Sequence, residues 1–542
     1  MGRMKAKKPK KGSSHDHLSA WGYDIDPQVM EMTPEETTAF IEEMKALLPP
    51  EKSKMVVGMA AMLAFLVAEL KAKRVSISRL KALLYGEKTE KTSKVIKGQK
   101  DKSPKDKEKQ PGHGRNGADS YPGADNVKIP HETLKSGDEC PVCPRGRVYP
   151  IESGVSVRIV GMSPLSATVF EIDKFRCNAC GEIFTAKLPK GMDARKYDES
   201  ALAMVALLKY GAGSPFYRIE RLQHNLGIPM PASTQWDLVE LAAEKFEPIF
   251  EELMNTAAQA DVVHNDDTTM KLLDRPDLKL NKEGRKGVYT SGIVAGLITG
   301  EEKYIIALFR TGPRHAGENL DALLKRRKEE LAMPIQMCDA LSANTKGDFK
   351  TILAHCMAHA RRRFVEIVDD FPEECSHLLE TLSNVYGHDA KTRGMSPPER
   401  LRYHQEHSKP LMEALKKWLD DAIEQKKVEP NSGLGQAIAY MRKHWEPLTL
   451  FLHEIGAPLD NNICERALKR AVLHRKNSMF YKTQKGARVG DCFMSLIHTA
   501  ELNEVNPFDY LVETLKNVAL AEENPEEWMP WNYRKTLQGL PQ

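Results

Sequence analysis

The sequence contains no apolar run long enough to cross a lipid bilayer, which takes about 18 residues. The most apolar stretch, residues 55–68, is preceded by Lys54 and followed by Glu69, and we interpret it as a buried helix. No apolar segment follows the lysine-rich N-terminus, so no secretory signal is expected. The sequence therefore predicts a protein with no membrane-embedded part.

The chain also lacks a strong excess of either charge. Its 79 Lys and Arg residues nearly balance 75 Asp and Glu residues, leaving a net charge of +4. A nucleic-acid partner would have to be bound by local basic patches rather than by an overall positive field. At 542 residues the chain is too long for a single hydrophobic core, and roughly three to four domains are expected.

Cysteine is scarce, and its number, nine, is odd, which does not suit a framework of disulfides. Four cysteines form two Cys-x-x-Cys pairs: Cys140 with Cys143, and Cys177 with Cys180. Two such pairs offer four thiolates to one tetrahedral Zn²⁺ ion. A redox role would need one exposed pair beside a helix, so we expect structural zinc in a module similar to a zinc ribbon.

Helical and linker segments surround this module. Residues 87–116 are rich in lysine and almost free of large apolar side chains, which is typical of a solvated linker. Residues 217–226, 227–229 and 233–250 have the pattern of a helix, a turn and a helix. This pattern fits a DNA-reading helix-turn-helix, although helical hairpins that simply pack are commoner.

From residue 261 the pattern becomes that of an α/β protein. Residues 261–273, 287–297 and 303–309 predict three strands, and a helix over 315–327 leads to a fourth strand over 334–339. Three strands, a helix and a strand open a ribonuclease-H-like fold. The first and fourth strands are neighbours in that fold, so their acidic ends would meet.

The acidic residues at these ends are Asp266 and Asp339, and a helix after the sheet can bring Glu465 to the same point. Three converging carboxylates can hold two divalent cations, which activate a water or a 3′-hydroxyl for attack on a phosphodiester. Oxygen ligands favour Mg²⁺ or Mn²⁺.

Glu465 belongs to a helix predicted from residue 460 onward, where Asp460, Asn461 and Asn462 are typical helix-starting residues. The simplest interpretation of Glu465 is an ion pair with Lys469, worth about 0.3–0.5 kcal/mol. The alternative is a carboxylate beside an anionic substrate, because basic residues surround it. These candidate DNA contacts are Arg466, Lys469, Arg470, Arg475 and Lys476.

A second basic block contains His355, Cys356 and His359 before three arginines. The H-x-x-x-H spacing places two imidazoles on one face of a helix. No carboxylate stands where a metalloprotease needs one, so packing beside DNA is favoured over a metal site. Arg361 and Arg362 are candidate phosphate contacts, with a solvated basic face as the equal alternative.

Several blocks resemble transposases of the IS66 insertion-sequence family. They are residues 83–91, 113–124, 130–143, 355–364, 459–480 and 495–511. The resemblance implies DDE-type DNA cleavage and strand transfer, with a zinc module before the catalytic core. It places the three acids of the family on Asp266, Asp339 and Glu465.

The chain departs from the family pattern at two of these acids. Asp267 follows Asp266 where the family usually has glutamate, so Asp267 stays an alternative first ligand. Ala340-Leu341 follows Asp339 in place of glycine and an aromatic residue, and Asp348 is the nearest substitute for that second acid.

The resemblance also implies partners: the element's terminal repeats, target DNA, further copies of the chain on DNA, and companion proteins of the same element. The expected location is the bacterial cytoplasm, with the nucleoid as the site of DNA binding. A catalytically inactive DNA-binding protein and a general ribonuclease-H-like nuclease are the alternatives.

The sequence thus predicts an α/β protein with a ribonuclease-H-like core, a helical insertion, a zinc module and helical N-terminal segments. The aromatic residues of the tail are expected to anchor it to a domain surface. The predicted parts are a basic start and helical region (1–86), a linker (87–129), the zinc module (130–190), a helical region (191–255), the first part of the core (256–364), the insertion (365–458), the catalytic helix with the end of the core (459–512), and the tail (513–542).

Overall fold

The computed structural model describes residues 195–274, 287–299 and 302–540, most of 127–151 and 158–187, and a few positions between 42 and 57. The chain divides into two units, residues 1–89 and 90–542, and every element named below belongs to the second. Most of the predicted N-terminal region and linker, together with Cys140 and Cys143, lies outside the described residues. Within the described part, no helix is both long and apolar enough to cross a membrane.

A small antiparallel hairpin lies in the predicted zinc module. Its strands are β1 (Lys174–Arg176) and β2 (Ile183–Thr185), with Phe175 opposite Phe184. Cys177 and Cys180 lie in the turn between these strands.

Three helical segments precede the main sheet. Helix α1 (Glu199–Ala206) continues into a π-helical turn (Leu207–Gly211) and is followed by α2 (Phe216–Asn225) and α3 (Ala232–Ala258). Gly227 lies just after α2 with φ of +78°, a conformation that glycine adopts at little cost. The predicted helix, turn and helix are therefore present.

The main sheet has five strands: β3 (Val262–Met270), β4 (Val288–Thr299), β5 (Glu302–Gly312), β6 (Ile335–Cys338) and β7 (Ile352–His355). Their order across the sheet is β5-β4-β3-β6-β7. Strands β3, β4 and β5 are antiparallel, whereas β6 is parallel to both β3 and β7. Helix α4 (Ala316–Leu324) connects β5 to β6. This mixed α/β sheet places β3 at its centre.

A group of helices follows the sheet and forms the predicted insertion. Helix α5 (Met357–Val365) leaves β7 and leads into α6 (Pro372–Lys391), α7 (Pro397–His407), α8 (Lys409–Glu424), α9 (Gly433–Lys443) and the short α10 (Trp445–Leu448). Together with β6 and β7 they bury an apolar core that includes Leu379, Leu382, Leu415 and Ile438.

The chain then returns to the sheet. Helix α11 (Asn462–Ser478) packs on β3 and β4, and α12 (Gln484–Leu502) packs on β5. Helices α13 (Pro507–Lys516), α14 (Val518–Glu523) and α15 (Tyr533–Gly539) complete the described part.

Helix α12 closes the exposed edge of β5 with side chains spaced four residues apart. Asp491, Ser495, Thr499 and Asn503 accept hydrogen bonds from alternate backbone N–H groups of β5, at Thr311, Phe309, Ala307 and Ile305. Four helical residues rise about 6 Å, close to the rise of two strand residues, so the two periods match. An open strand edge would otherwise be free to pair with another chain.

Candidate active site

Asp266 and Asp339 lie side by side at the centre of the sheet. The last paired residues of the parallel strands β3 and β6 are His264 and Met337, and each acid lies two residues beyond. The side-chain nitrogen of Asn344 donates a 2.5 Å hydrogen bond to Oδ1 of Asp339 and lies 3.4 Å from Oδ1 of Asp266. The structure therefore brings these two predicted acids together.

The environment of Asp266 disfavours its negative charge. Burial, and after it the neighbouring Asp339 carboxylate, raise the pKa of Asp266 to about 7, against the opposing effect of the hydrogen bonds from the Asp267 N–H and the Asn344 amide. A divalent cation between two such carboxylates would relieve both the burial cost and the repulsion. The oxygen donors fit Mg²⁺ or Mn²⁺.

The side chain of Asp267 contacts the start of α4. Its Oδ2 lies 2.8 Å from Nδ1 of His315 and accepts a 3.3 Å hydrogen bond from the N–H of Ala316, at the start of α4. Successive side chains of a strand point to opposite faces of the sheet, so the carboxylates of Asp266 and Asp267 lie on different faces. The geometry of the site favours Asp266 as the acid that faces Asp339.

A buried network of hydrogen bonds fixes the position of Asn344, the residue that contacts both acids. Asn265 and Gln336 both donate hydrogen bonds to the backbone oxygen of Asn344, at 2.9 and 2.8 Å, and Gln336 also donates to Asn265 at 2.9 Å. Asn344 itself is 1% exposed. Sequence reasoning missed Asn344, although amide side chains within two apolar strands were a signal for such a network.

Hydrogen bonds and close packing hold helix α11 against the sheet. The side chain of Asn461 contacts Nδ1 of His264 at 3.0 Å and donates to the backbone oxygen of Asn265 at 3.2 Å. The thiol of Cys464 donates to the backbone oxygen of Gly292, the residue paired with Asp266. These contacts fix the first turn of α11, in which Glu465 lies.

The carboxylate of Glu465 lies beside α5. Its Oε1 is 3.7 Å from Nδ1 of His359, and the ligand atoms of Cys356, His359 and Glu465 all lie within 4.8 Å of one another. Burial raises the pKa of the Cys356 thiol to about 12. The structure thus pairs Asp266 with Asp339 and places the third acid in a cluster with a thiol and an imidazole.

The bounds of β7 and α5 correct the prediction that the H-x-x-x-H spacing places both imidazoles on one helical face. His355 ends strand β7 and packs against the ring of His444, whereas His359 lies in α5. The two imidazoles therefore do not share a helical face. The carboxylate near His359 comes from Glu465, distant in sequence, and local spacing does not reveal it.

The basic candidates fall into two groups. Arg466, Lys469 and Lys476 are exposed on α11. Arg470 forms an ion pair with Glu501, and Arg475 donates hydrogen bonds to Thr268 and Thr269 of β3. Arg362 is half-buried, and Arg361 is 7% exposed. Burial makes Arg361 a poor phosphate contact, contrary to the prediction.

Of the predicted zinc ligands, Cys177 and Cys180 share the β1–β2 turn. The other pair lies between Glu139 and Arg147, which form an antiparallel bridge. Each pair therefore lies within a segment whose ends pair in antiparallel fashion.

The match to known proteins covers most of the elements described above. The family model described as "Transposase IS66 family" matches residues 195–489, from α1 through the sheet and insertion into α12. Two similar proteins of Sinorhizobium fredii are the uncharacterized proteins y4hP and y4jD. The first is 26% identical over 438 residues, covering 76% of this chain and 77% of y4hP. The second is 26% identical over 380 residues, covering 68% and 72%.

Proposed function

Because the chain belongs to the IS66 transposase family, we propose that it is a DDE-type transposase. It cleaves DNA at the ends of an insertion sequence and joins those ends to target DNA, using divalent metal ions. The observation that carries this proposal is the pair of carboxylates, Asp266 within β3 and Asp339 directly after β6, both of which the Asn344 amide contacts.

The sheet supports a ribonuclease-H-like core. Three antiparallel strands, a connecting helix and two parallel strands in the order β5-β4-β3-β6-β7 have the arrangement expected for that fold. One acid lies in the central strand and the next directly after its parallel neighbour, which is where two metal-binding carboxylates would share an edge.

In this proposal Asp266 and Asp339 supply the first oxygen ligands, and Glu465 on α11 is the third acid. When bound, Mg²⁺ or Mn²⁺ activates the attacking oxygen and stabilises the leaving oxygen of the phosphodiester. Asn344 orients the two aspartates, and the buried network behind it limits their movement. Water and then a 3′-hydroxyl are the nucleophiles, so no covalent protein–DNA intermediate is expected.

Other parts of the chain would bind DNA and zinc. We assign Arg466, Lys469 and Lys476 to phosphate contacts because they are exposed on the helix that carries Glu465. The pair α2 and α3 is a candidate DNA-binding hairpin. Structural Zn²⁺ would be held by four thiolates: Cys140, Cys143, Cys177 and Cys180. Element ends, target DNA, further copies of the chain and companion proteins are the proposed partners.

The test is cleavage of a labelled duplex that carries the ends of the element, with Mg²⁺, Mn²⁺ or EDTA. Wild type should cut only with metal, and Asp266→Asn, Asp339→Asn and Glu465→Gln should bind the duplex without cutting it. Asp261→Asn, which changes an acid immediately before β3 and outside the site, is the matched control. End binding without cleavage under any metal would indicate an inactive DNA-binding protein, and equal cleavage of unrelated DNA would indicate a general nuclease.

A further inference from the structure

The spacing between His359 and Glu465 does not suit a simple hydrogen bond. Nδ1 of His359 and Oε1 of Glu465 are 3.7 Å apart, whereas such bonds are about 2.7–3.2 Å long. Two atoms that each bind one Zn²⁺ ion at about 2.1 Å in tetrahedral geometry are about 3.4 Å apart. The observed separation is therefore close to that of two ligands of a single ion.

Both atoms are also buried and lack a hydrogen-bond partner among the described residues. A buried polar atom without a hydrogen-bond partner is unfavourable, because it has lost its contacts with water and gained none in their place. Two such atoms facing each other mark a place where a bound cation would satisfy both.

A third ligand stands at the same point. Cys356 is the N-cap residue of α5, and His359 follows in its first turn, so one short segment supplies sulfur and nitrogen. The sulfur of Cys356 accepts a 3.2 Å hydrogen bond from the backbone N–H of Asn461, which fixes it beside the start of α11. The ligand atoms of Cys356, His359 and Glu465 lie within 4.8 Å of one another.

We propose that Cys356, His359 and Glu465 form a binding site for a divalent transition-metal ion of the zinc class, distinct from the four-cysteine module. Thiolate and imidazole ligands select Zn²⁺ or Co²⁺ over Mg²⁺. Three protein ligands leave one position of a tetrahedral ion open. The binding site stands on its own geometry, but its link to catalysis rests on the proposed function, because Glu465 is the third acid of that proposal.

The site has a consequence for the metal requirement. In the proposed function Asp266, Asp339 and Glu465 offer only oxygen to Mg²⁺ or Mn²⁺. Cys356 and His359 add sulfur and nitrogen beside Glu465, so the Glu465 carboxylate would serve both kinds of ion. The protein would then carry two classes of ion. A chelator selective for zinc would remove the second ion and leave Mg²⁺ in solution.

The experiment measures metal binding directly, without DNA. Full-length protein stripped of metal is titrated with Co²⁺, and thiolate-to-cobalt absorption and the number of bound ions are recorded. His359→Gln and Cys356→Ala are expected to lose one equivalent relative to wild type and to keep the absorption of the four-cysteine module. Cys375→Ala, a buried cysteine of the insertion core, is the matched control and should keep every equivalent.

His359→Gln is the decisive variant, because it keeps a polar side chain at a partly exposed position and removes the imidazole. Unchanged Co²⁺ stoichiometry and spectrum in His359→Gln would overturn the inference, even if Mg²⁺-dependent cleavage of element ends is normal. Loss of one equivalent in a protein that never cleaves DNA would support the site and count against the proposed function instead.

Discussion

The side-chain amide of Asn344 donates a 2.5 Å hydrogen bond to Oδ1 of Asp339, and the same nitrogen reaches towards Asp266 at 3.4 Å. A single buried donor thus sets the spacing of two carboxylates that would otherwise repel each other. Its backbone oxygen is held by Asn265 and Gln336, so Asn344 has little freedom to move.

Asn344→Ala should therefore weaken metal binding. Residues that orient metal ligands typically contribute 10–100-fold in metal affinity or activity, and we expect a loss of about that size. The measurement is the Mn²⁺ concentration needed for half-maximal cleavage. Asn319→Ala, which removes a hydrogen bond to Ser291, is the control. An unchanged Mn²⁺ requirement in Asn344→Ala would remove this residue from the site.

The two adjacent acids of β3 should respond differently to substitution. Asp266→Asn is expected to abolish cleavage and to leave folding intact. Asp267→Ala removes the acceptor for His315 and for the Ala316 N–H at the start of α4, and such caps are worth about 0.5–2 kcal/mol. Urea unfolding and cleavage are measured in both variants. If instead Asp267→Ala abolished cleavage and Asp266→Asn mainly lowered stability, Asp267 would be the metal ligand.

Much of the secondary structure follows from local pattern. The strand predicted over residues 334–339 is observed at Ile335–Cys338, and the helix predicted over 315–327 is observed at Ala316–Leu324. The helix buries apolar residues at helical spacing, among them Leu320 and Leu323, whereas the strand is a short segment that is buried at all four residues. The tail is also anchored as predicted, since Trp528 is fully buried and Trp531 stacks on Tyr304.

The candidate site and the packing of α12 on β5 depend on contacts between residues far apart in the sequence. Asn344 is an ordinary loop residue in the sequence, and only the packing of β3 beside β6 gives it two acids to contact. Likewise, the bonds from α12 to the β5 edge involve Ser495 and Thr499, whose partners lie nearly two hundred residues earlier. Local periodicity carries no information about such pairs.

The proton on Asp266 should couple metal binding to pH. Its pKa is raised from 3.8 to about 7, so between these values the folded protein keeps a proton that the unfolded chain has lost. The carboxyl group therefore favours the folded state less as pH rises through this window. A cation must displace the same proton, so apparent Mn²⁺ affinity should rise by up to about tenfold per pH unit below 7 and level off above it. Calorimetric titration of wild type and Asp266→Asn across this range measures the effect, and an equal slope in both would assign the proton to another group.

The exposed basic residues of α11 and those that form hydrogen bonds or ion pairs within the protein should differ in their effect on DNA binding. Each phosphate contact contributes about 0.9 to the slope of log K against log salt. Replacing Arg466, Lys469 and Lys476 by alanine should lower that slope by roughly 2–3. Arg475→Ala should instead reduce stability, because it loses its hydrogen bonds to Thr268 and Thr269. Arg488→Ala, which breaks an ion pair with Glu247, is the control, and an unchanged salt slope in the triple variant would place the DNA elsewhere.

Two glycines of β4 offer a matched pair for testing how closely α11 must approach the sheet. Gly292 pairs with Asp266, and a Cβ atom there would lie 2.9 Å from Cγ of Leu468 and 3.5 Å from the sulfur of Cys464. Leu468 is itself buried, so α11 would have to shift. At Gly296, four residues further along the same strand, a Cβ atom would meet nothing within 4 Å.

Gly292→Ala should cost about 1–3 kcal/mol of unfolding free energy, the usual range for overpacking, whereas Gly296→Ala should be close to neutral. Cys464 directly precedes Glu465, so a shift of α11 would also move the Glu465 carboxylate relative to Asp266 and Asp339. Cleavage by Gly292→Ala should therefore fall well below wild type at temperatures where the variant is still fully folded, as judged by circular dichroism. Full activity in folded Gly292→Ala would mean that the position of Glu465 tolerates movement of α11, which is not expected of a metal-binding carboxylate.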